Sequence, residues 1–196
     1  TLSSSSAASD VYKRQMSDTA NLTGLAALTP GTWTVDPSHS HIGFVARHLV
    51  VAKVRGSFAA FTGTLTIADQ PLASKVEATV DVASITTGDD GRDAHLKGAD
   101  FFDIEQFPSW SLVSTAIRPD DDDYVLVADL TIKGVTKSVE FELEFDGVEK
   151  DPWGNTKAGF TAETEISRKD FGLEWNVVLE TLSLIHISEP TRPRLI

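Results

Sequence analysis

The chain has 196 residues, 41% of them hydrophobic, with a formal net charge of −12 from 17 Lys and Arg against 29 Asp and Glu, and no Cys. That length suits one domain with a substantial core. The acidity argues against nucleic acid as a partner and against charge-driven docking to an anionic membrane, and zero Cys excludes disulfides, thiolate metal sites and a Cys nucleophile.

No apolar run is long enough to cross a bilayer, so no transmembrane segment is expected. The two ends stand apart from the rest. Residues 10–15 and 182–187 back-translate to one DNA word and its reverse complement, a word that resembles the end of a transposase sequencing adapter. Residues 1–15 are therefore expected to be adapter-like and disordered, and residues 182–196 an adapter-like, non-native tail, which removes His186 from any site. Met16 is the expected start. Residues 16–32, a lead-in without a basic n-region or an unbroken apolar stretch, make a poor secretory signal, which points to the cytoplasm rather than the periplasm or secretion.

From Trp33 onward the dominant signal is period-two alternation, the mark of strands with one apolar and one polar face. Val76, Ala78, Val80 and Val82 alternate with Glu77, Thr79 and Asp81. A short helix is expected from about Asp89 to Lys97, with Gly88 and Asp89 at its start and Gly98 just past its end. Tyr124, Leu126, Ala128, Leu130 and Ile132 share one face of the next strand. Val139, Phe141, Leu143 and Phe145 then oppose Glu140, Glu142 and Glu144, and Phe160, Ala162, Thr164 and Ile166 oppose Thr161, Glu163 and Glu165. Turn chemistry separates these segments at residues 69–71, 119–123, 133–134 and 151–155. Many strands, short turns and little helix predict an antiparallel sandwich or barrel, and the glutamate-rich outer faces favour a closed barrel with an apolar interior.

Several groupings invite a chemical reading. His39 and His41, two apart on a strand, leave the same face in a geometry that suits zinc or copper, with His48 or His95 as a third ligand. Asp93, His95 and Ser40 have the residue types of a triad, but the Gly-x-Ser-x-Gly elbow is absent. Arg92 and Asp93 read better as an ion pair or helix-cap network that pins the helix across a barrel mouth. The acidic run 120–123 lacks calcium-loop spacing and reads as a solvated turn, and residues 21–23 form a lone glycosylation sequon. The many aromatics suit either a packed core or the wall of a lumen with room for one elongated apolar guest.

Certain motifs carry a family resemblance. Trp33-x-x-Asp36-x-x-His39-Ser40-x-Ile42-x-Phe44-x-x-x-His48 is followed by Val54-x-Gly56-x-Phe58-x-x-Phe61-x-Gly63. Ser84-Ile85-x-Thr87, Arg92-Asp93-x-His95-Leu96, Asp100-Phe101-Phe102, Leu130-Thr131-Ile132 with Gly134, and Arg168-x-Asp170-Phe171-Gly172 come next. In this order they resemble the YceI-like family over residues 33–181. The resemblance implies an all-β fold with a short helix: an extended, lipocalin-like antiparallel β-barrel of about eight strands that encloses a long isoprenoid or related lipid, in some cases as a homodimer. It implies a binding protein rather than an enzyme, with no cofactor. The family pattern carries His at 39 but not regularly at 41, so the pair reads as incidental and no metal site is expected.

One departure stands out. In the family a final strand follows the segment matching 176–181; here adapter-like sequence replaces it, so the barrel is expected to lack its authentic last strand and expose an edge, which the β-prone residues 184–187 are placed to fill in part. The expected wall of the lumen, assigned by alternation, is Phe44, Phe58, Phe61, Leu65, Val80, Trp110, Leu130, Phe141 and Phe160. His48, Arg92 and His95 are the candidates to meet a polar head group at the mouth. The expected function is storage or transport of the lipid without chemistry. The rivals are a metal-dependent or acid-base enzyme using His39, His41, Asp93 and His95, and a stress-response interaction module with a filled core.

Overall fold

In the computed structural model the described residues are 25, 27–48, 52–120, 123–174 and 190–195, with backbone only at 47, 48, 52 and 190–195. Their strands are β1 (Gly31–Thr34), β2 (Ile42–His48), β3 (Ala52–Phe58), β4 (Phe61–Ile67), β5 (Lys75–Asp81) and β6 (Ile85–Thr86). Then follow the helix α1 (Asp90–Lys97), β7 (Ser109–Asp120), β8 (Asp123–Ile132), β9 (Val135–Lys150), β10 (Thr156–Glu163), β11 (Ile166–Ser167) and β12 (Pro190–Leu195).

The alternation read from the sequence is the alternation of burial. Along β8, Tyr124, Leu126, Ala128, Leu130 and Ile132 are buried and the residues between them are not. On β9, Phe141 and Leu143 are buried while Glu140, Glu142 and Glu144 stay at the surface. Every ladder is antiparallel, in the order β1-β4-β5-β7-β8-β9-β10-β12-β2-β3-β6. β3 runs through Ala59 and Ala60 into β4, and β5 runs through a 3-10 turn (Val82–Ser84) into β6. β3 pairs with β6 while β4 pairs with β5, so each pair of short strands acts as one bent stave. β1 and β2 likewise lie end to end along the β3/β4 stave, on β4 and β3 respectively; with these three pairs each counted once and the two-residue β11 set aside, the described residues form a ring of eight staves, which leaves an interior that side chains fill or one small guest occupies.

The bend has a visible cause. Two outward residues in succession, Ala59 and Ala60, break the period-two pattern between inward Phe58 and inward Phe61. Ser84 holds the corner: its Oγ donates to the Asp81 carbonyl (2.6 Å) and accepts from Ala60 N (3.0 Å).

β12 stands between β10 and β2, pairing with both, at the place where an exposed edge was expected. The residues thought suited to fill it, 184–187, lie outside the described residues, as do residues 1–15 and all of 16–32 before Leu25.

The β8–β9 turn uses Lys133 and Gly134 at φ 49 and 74, the pair of left-handed residues that a two-residue hairpin needs to match strand twist. In the acidic turn Asp120 lies opposite Asp123, as a tight hairpin requires. α1 forms as its punctuation predicts: the Asp89 side chain accepts from Arg92 N (2.8 Å), and Gly98 ends the helix. The segment after α1 lies against the end of the barrel that carries the β8–β9 turn, where Lys133 Nζ donates to the Ala99 carbonyl (3.2 Å).

Candidate functional site

Side chains from β2, β3 and β7 and from the segment after α1 meet inside the ring as a line of aromatic rings. Phe44 lies 5.9 Å from Phe58, Phe58 4.7 Å from Trp110, Trp110 5.0 Å from Phe102 and Phe102 6.4 Å from Phe101. His95 ends the line at the surface, edge-on to Phe101 at 5.2 Å. The Phe44 ring has space because its cross-strand partner is Gly56; a Cβ there would run into the ring.

Beside this line is an apolar cavity of about 170 Å³. Strands supply Phe44, Phe58, Val80, Trp110, Leu130 and Phe141; the α1 segment supplies Leu96, Phe101 and Phe102; Ile166, Phe171 and Leu173 close it from the C-terminal side. Among the described residues, Ser111, Arg168 and Trp110 are the only members of this wall whose side chains carry a polar atom.

Six of the nine expected wall residues thus line the cavity: Phe44, Phe58, Val80, Trp110, Leu130 and Phe141. Leu65 and Phe160 point inward but lie elsewhere along the barrel. Leu65 pairs with Val76, four residues from Val80, and Phe160 pairs with Phe145 (rings 5.1 Å apart), four residues beyond Phe141. At about 3.3 Å per residue, both belong to layers farther from α1. Phe61 packs on the core but borders a separate groove with Val35 and Pro37. The alternation missed Leu96, Phe101, Phe102, Phe171 and Leu173, which come from a helix, a loop and a 3-10 turn (Arg168–Phe171). The aromatic pair immediately after the Gly98 helix stop was the available signal.

The polar candidates part company. The His48 side chain lies outside the described residues. Arg92 turns back onto Thr87, with Nε donating to the Thr87 hydroxyl (2.7 Å) and Nη2 to its carbonyl (3.1 Å). Asp93, buried at 9% exposure, accepts through Oδ1 from both the Thr87 amide (2.9 Å) and its hydroxyl. Arg92 and Asp93 therefore do not pair directly; both grip Thr87 and latch α1 to the end of β6, which is the helix-pinning network foreseen. Asp93 is committed to that latch, and His95 lies at the surface 3.9 Å from Asp100.

His39 belongs to a turn cluster at the surface, where Nδ1 lies 2.8 Å from Asp36 Oδ2 and Lys157 Nζ donates to the same oxygen at 2.8 Å. The Lys157 hydrogen bond, helped by Ser38 and His39, holds the Asp36 carboxyl well below the usual carboxylate range, and Asp36 in turn raises Lys157. Inside the barrel, burial pushes the Tyr124 hydroxyl up. Among the described residues no three His, Asp or Glu side chains are grouped to hold a metal, and no helix is long and apolar enough to cross a membrane.

Fold and cavity together define an antiparallel barrel with a carbon-lined lumen closed at one end by a latched helix segment. The chain belongs to the YceI-like domain family, which matches residues 33–189. It is 39% identical over 137 residues to the UPF0312 protein plu2095 of Photorhabdus laumondii, covering 69% of this chain and 71% of that protein. Protein YceI of Escherichia coli is also 39% identical over 137 residues, with 69% and 72% covered. Among solved structures, Campylobacter jejuni YceI superposes with a TM-score of 0.63 at 27% identity, covering 83% of this chain and 93% of that one. A polyisoprenoid binding domain from Saccharophagus degradans, implicated in plant cell wall breakdown, gives 0.60 at 16% identity, covering 85% and 97%.

Proposed function

We propose that this protein stores or carries a long-chain isoprenoid or related amphiphile by burying its apolar chain in the barrel lumen, and does no chemistry on it. The observation that carries this reading is the cavity itself, an apolar space inside the ring at the aromatic line. The polyisoprenoid binding domain of Saccharophagus degradans, which has this fold, supports the ligand class. Each Å² of apolar surface that the chain removes from water is worth about 25 cal/mol.

The cavity volume sets how that guest enters. A space of about 170 Å³ compares with the ~150 Å³ engineered cavity that binds benzene, so as it stands the lumen accepts one short stretch of a chain. A longer guest enters by displacing Leu96, Phe101 and Phe102, the wall residues carried by the α1 segment. The same small volume favours a second reading, an interaction module whose core is simply filled.

Mass spectrometry of protein purified without detergent decides between them. A co-purifying long-chain lipid, or stoichiometric uptake of an added isoprenoid, is expected. Empty protein that ignores added isoprenoids overturns the carrier and leaves the filled core.

A further inference from the structure

Trp153, at the tip of the β9–β10 hairpin, is 83% exposed, and Pro152 and Gly154 beside it are exposed as well. β9 makes its last pair with β8 at Leu143 and Tyr124, and among the described residues β10 meets β12 only at Ala162 and Glu163. Beyond those pairs residues 144–150 and 156–161 continue as a two-stranded ribbon, about 20 Å long at the usual rise of a strand. It carries the turn to the end of the barrel opposite α1. The turn is built to keep its shape. Asp151 Oδ1 accepts from the amides of Trp153 (3.0 Å) and Asn155 (2.8 Å), and Oδ2 accepts from Asn155 Nδ2 (2.9 Å). Gly154 takes φ 89, and Lys157 Nζ ties the ribbon to Asp36 at 2.8 Å. The backbone on both sides of the indole is thus fixed, while the indole itself stands in water and adds nothing to the core.

Charge and shape narrow what covers it. Residues 149–157 carry Glu149 and Asp151 against Lys150 and Lys157, no net charge, in a chain of −12. The acidic β7–β8 turn, with Asp120 opposite Asp123, stands at the same end of the barrel and repels an anionic surface. A tip this narrow falls short of the roughly 800 Å² that each partner gives to a standard protein interface. A bilayer closes around a protruding side chain of any shape, and an indole, with an apolar body and one polar N–H, suits the headgroup boundary. We propose that the Trp153 turn is a membrane-docking tip, which sets its indole into the headgroup region of an electrically neutral, zwitterionic bilayer. One side chain carries the contact, so the attachment is weak and reversible. It does not depend on what the lumen holds.

The test uses phosphatidylcholine vesicles brominated on the upper acyl carbons, which quench a Trp that enters the interface. The chain has four Trp, so the readout is the difference between wild type and Trp153→Ser, and lipid that enters the lumen beside Trp110 cancels out. Trp153→Ser removes an exposed side chain and keeps the core intact. Wild type is expected to lose more emission than the variant, and to bind the vesicles in flotation about tenfold tighter or more, the effect of burying one large apolar side chain. Trp153→Phe should keep part of that binding. Mixing in phosphatidylglycerol should weaken wild-type binding at low salt, and added salt should restore it. Equal quenching or equal flotation of wild type and Trp153→Ser, no vesicle binding by wild type, or tighter binding to the anionic vesicles overturns the proposal. Wild-type emission that shifts with protein concentration but not with vesicles also overturns it, in favour of a second copy of the chain as the partner.

Discussion

Phe102→Ala tests stability and capacity in opposite directions. Phe102 is 7% exposed, meets the Trp110 ring edge-to-face at 5.0 Å and the Phe101 ring likewise at 6.4 Å, and borders the 170 Å³ cavity. Truncating a core Phe to Ala costs about 3–5 kcal/mol, from lost transfer free energy and the void left behind. One side of this ring already faces open space, so it has fewer contacts to lose, and the expected cost is near the lower end, about 3 kcal/mol. For a domain of this size each kcal/mol moves Tm by roughly 2–4 °C, giving a fall of roughly 6–12 °C by calorimetry. The same deletion joins the ring's volume to the cavity. A saturating prenol should therefore raise the Tm of the variant more than that of wild type, because ligand stabilisation grows with affinity. A loss under about 1 kcal/mol would refute the packing described for Phe102. An equal ligand increment in both proteins would refute its standing in the guest's space.

Three further outcomes are expected. Thr87→Val removes the hydroxyl that donates to Asp93 and accepts from Arg92; bonds to charged groups are worth about 1.5–3 kcal/mol, so a loss of about 2 kcal/mol is expected, with faster amide exchange across α1. Exchange at the wild-type rate would mean that Thr87 is no latch. Gly56→Ala drives a methyl into the Phe44 ring and should cost about 1–3 kcal/mol as overpacking does, read as a lower urea midpoint; an unchanged midpoint contradicts the close approach. Lys157→Met removes the main cause of the depressed Asp36 carboxyl. A depressed folded pKa stabilises fully above the ordinary Asp value of about 3.9 and is lost as pH falls through the folded value. The variant should accordingly begin acid unfolding at higher pH than wild type in circular dichroism, and coincident acid profiles would count against the pair.

What was legible in the sequence is local. Glu140, Glu142 and Glu144 set against Phe141 and Leu143 determine which face of β9 turns inward, because a strand's side chains alternate whatever lies opposite them. Asp89 and Gly98 mark the ends of α1 because the capping groups lie within the helix's own sequence neighbourhood. Lys133-Gly134 announces its hairpin for the same reason, and the Arg92–Asp93 dipeptide already suggested a pinned helix.

Tertiary structure alone decided how deep along the barrel each inward side chain falls. Phe141 and Phe160 alternate equally well, yet only Phe141 reaches the cavity, since its layer depends on strand stagger, on the register shift at Gly159 and Phe160 and on the two-residue corner at Ala59 and Ala60. It also decided that Phe101 and Phe102 turn inward to share the lumen with strand residues, although no periodicity marks a loop. Finally, it showed that Trp110 Nε1 lacks an acceptor among the described residues, because an unpaired donor is a property of every atom around it and belongs to no segment of sequence.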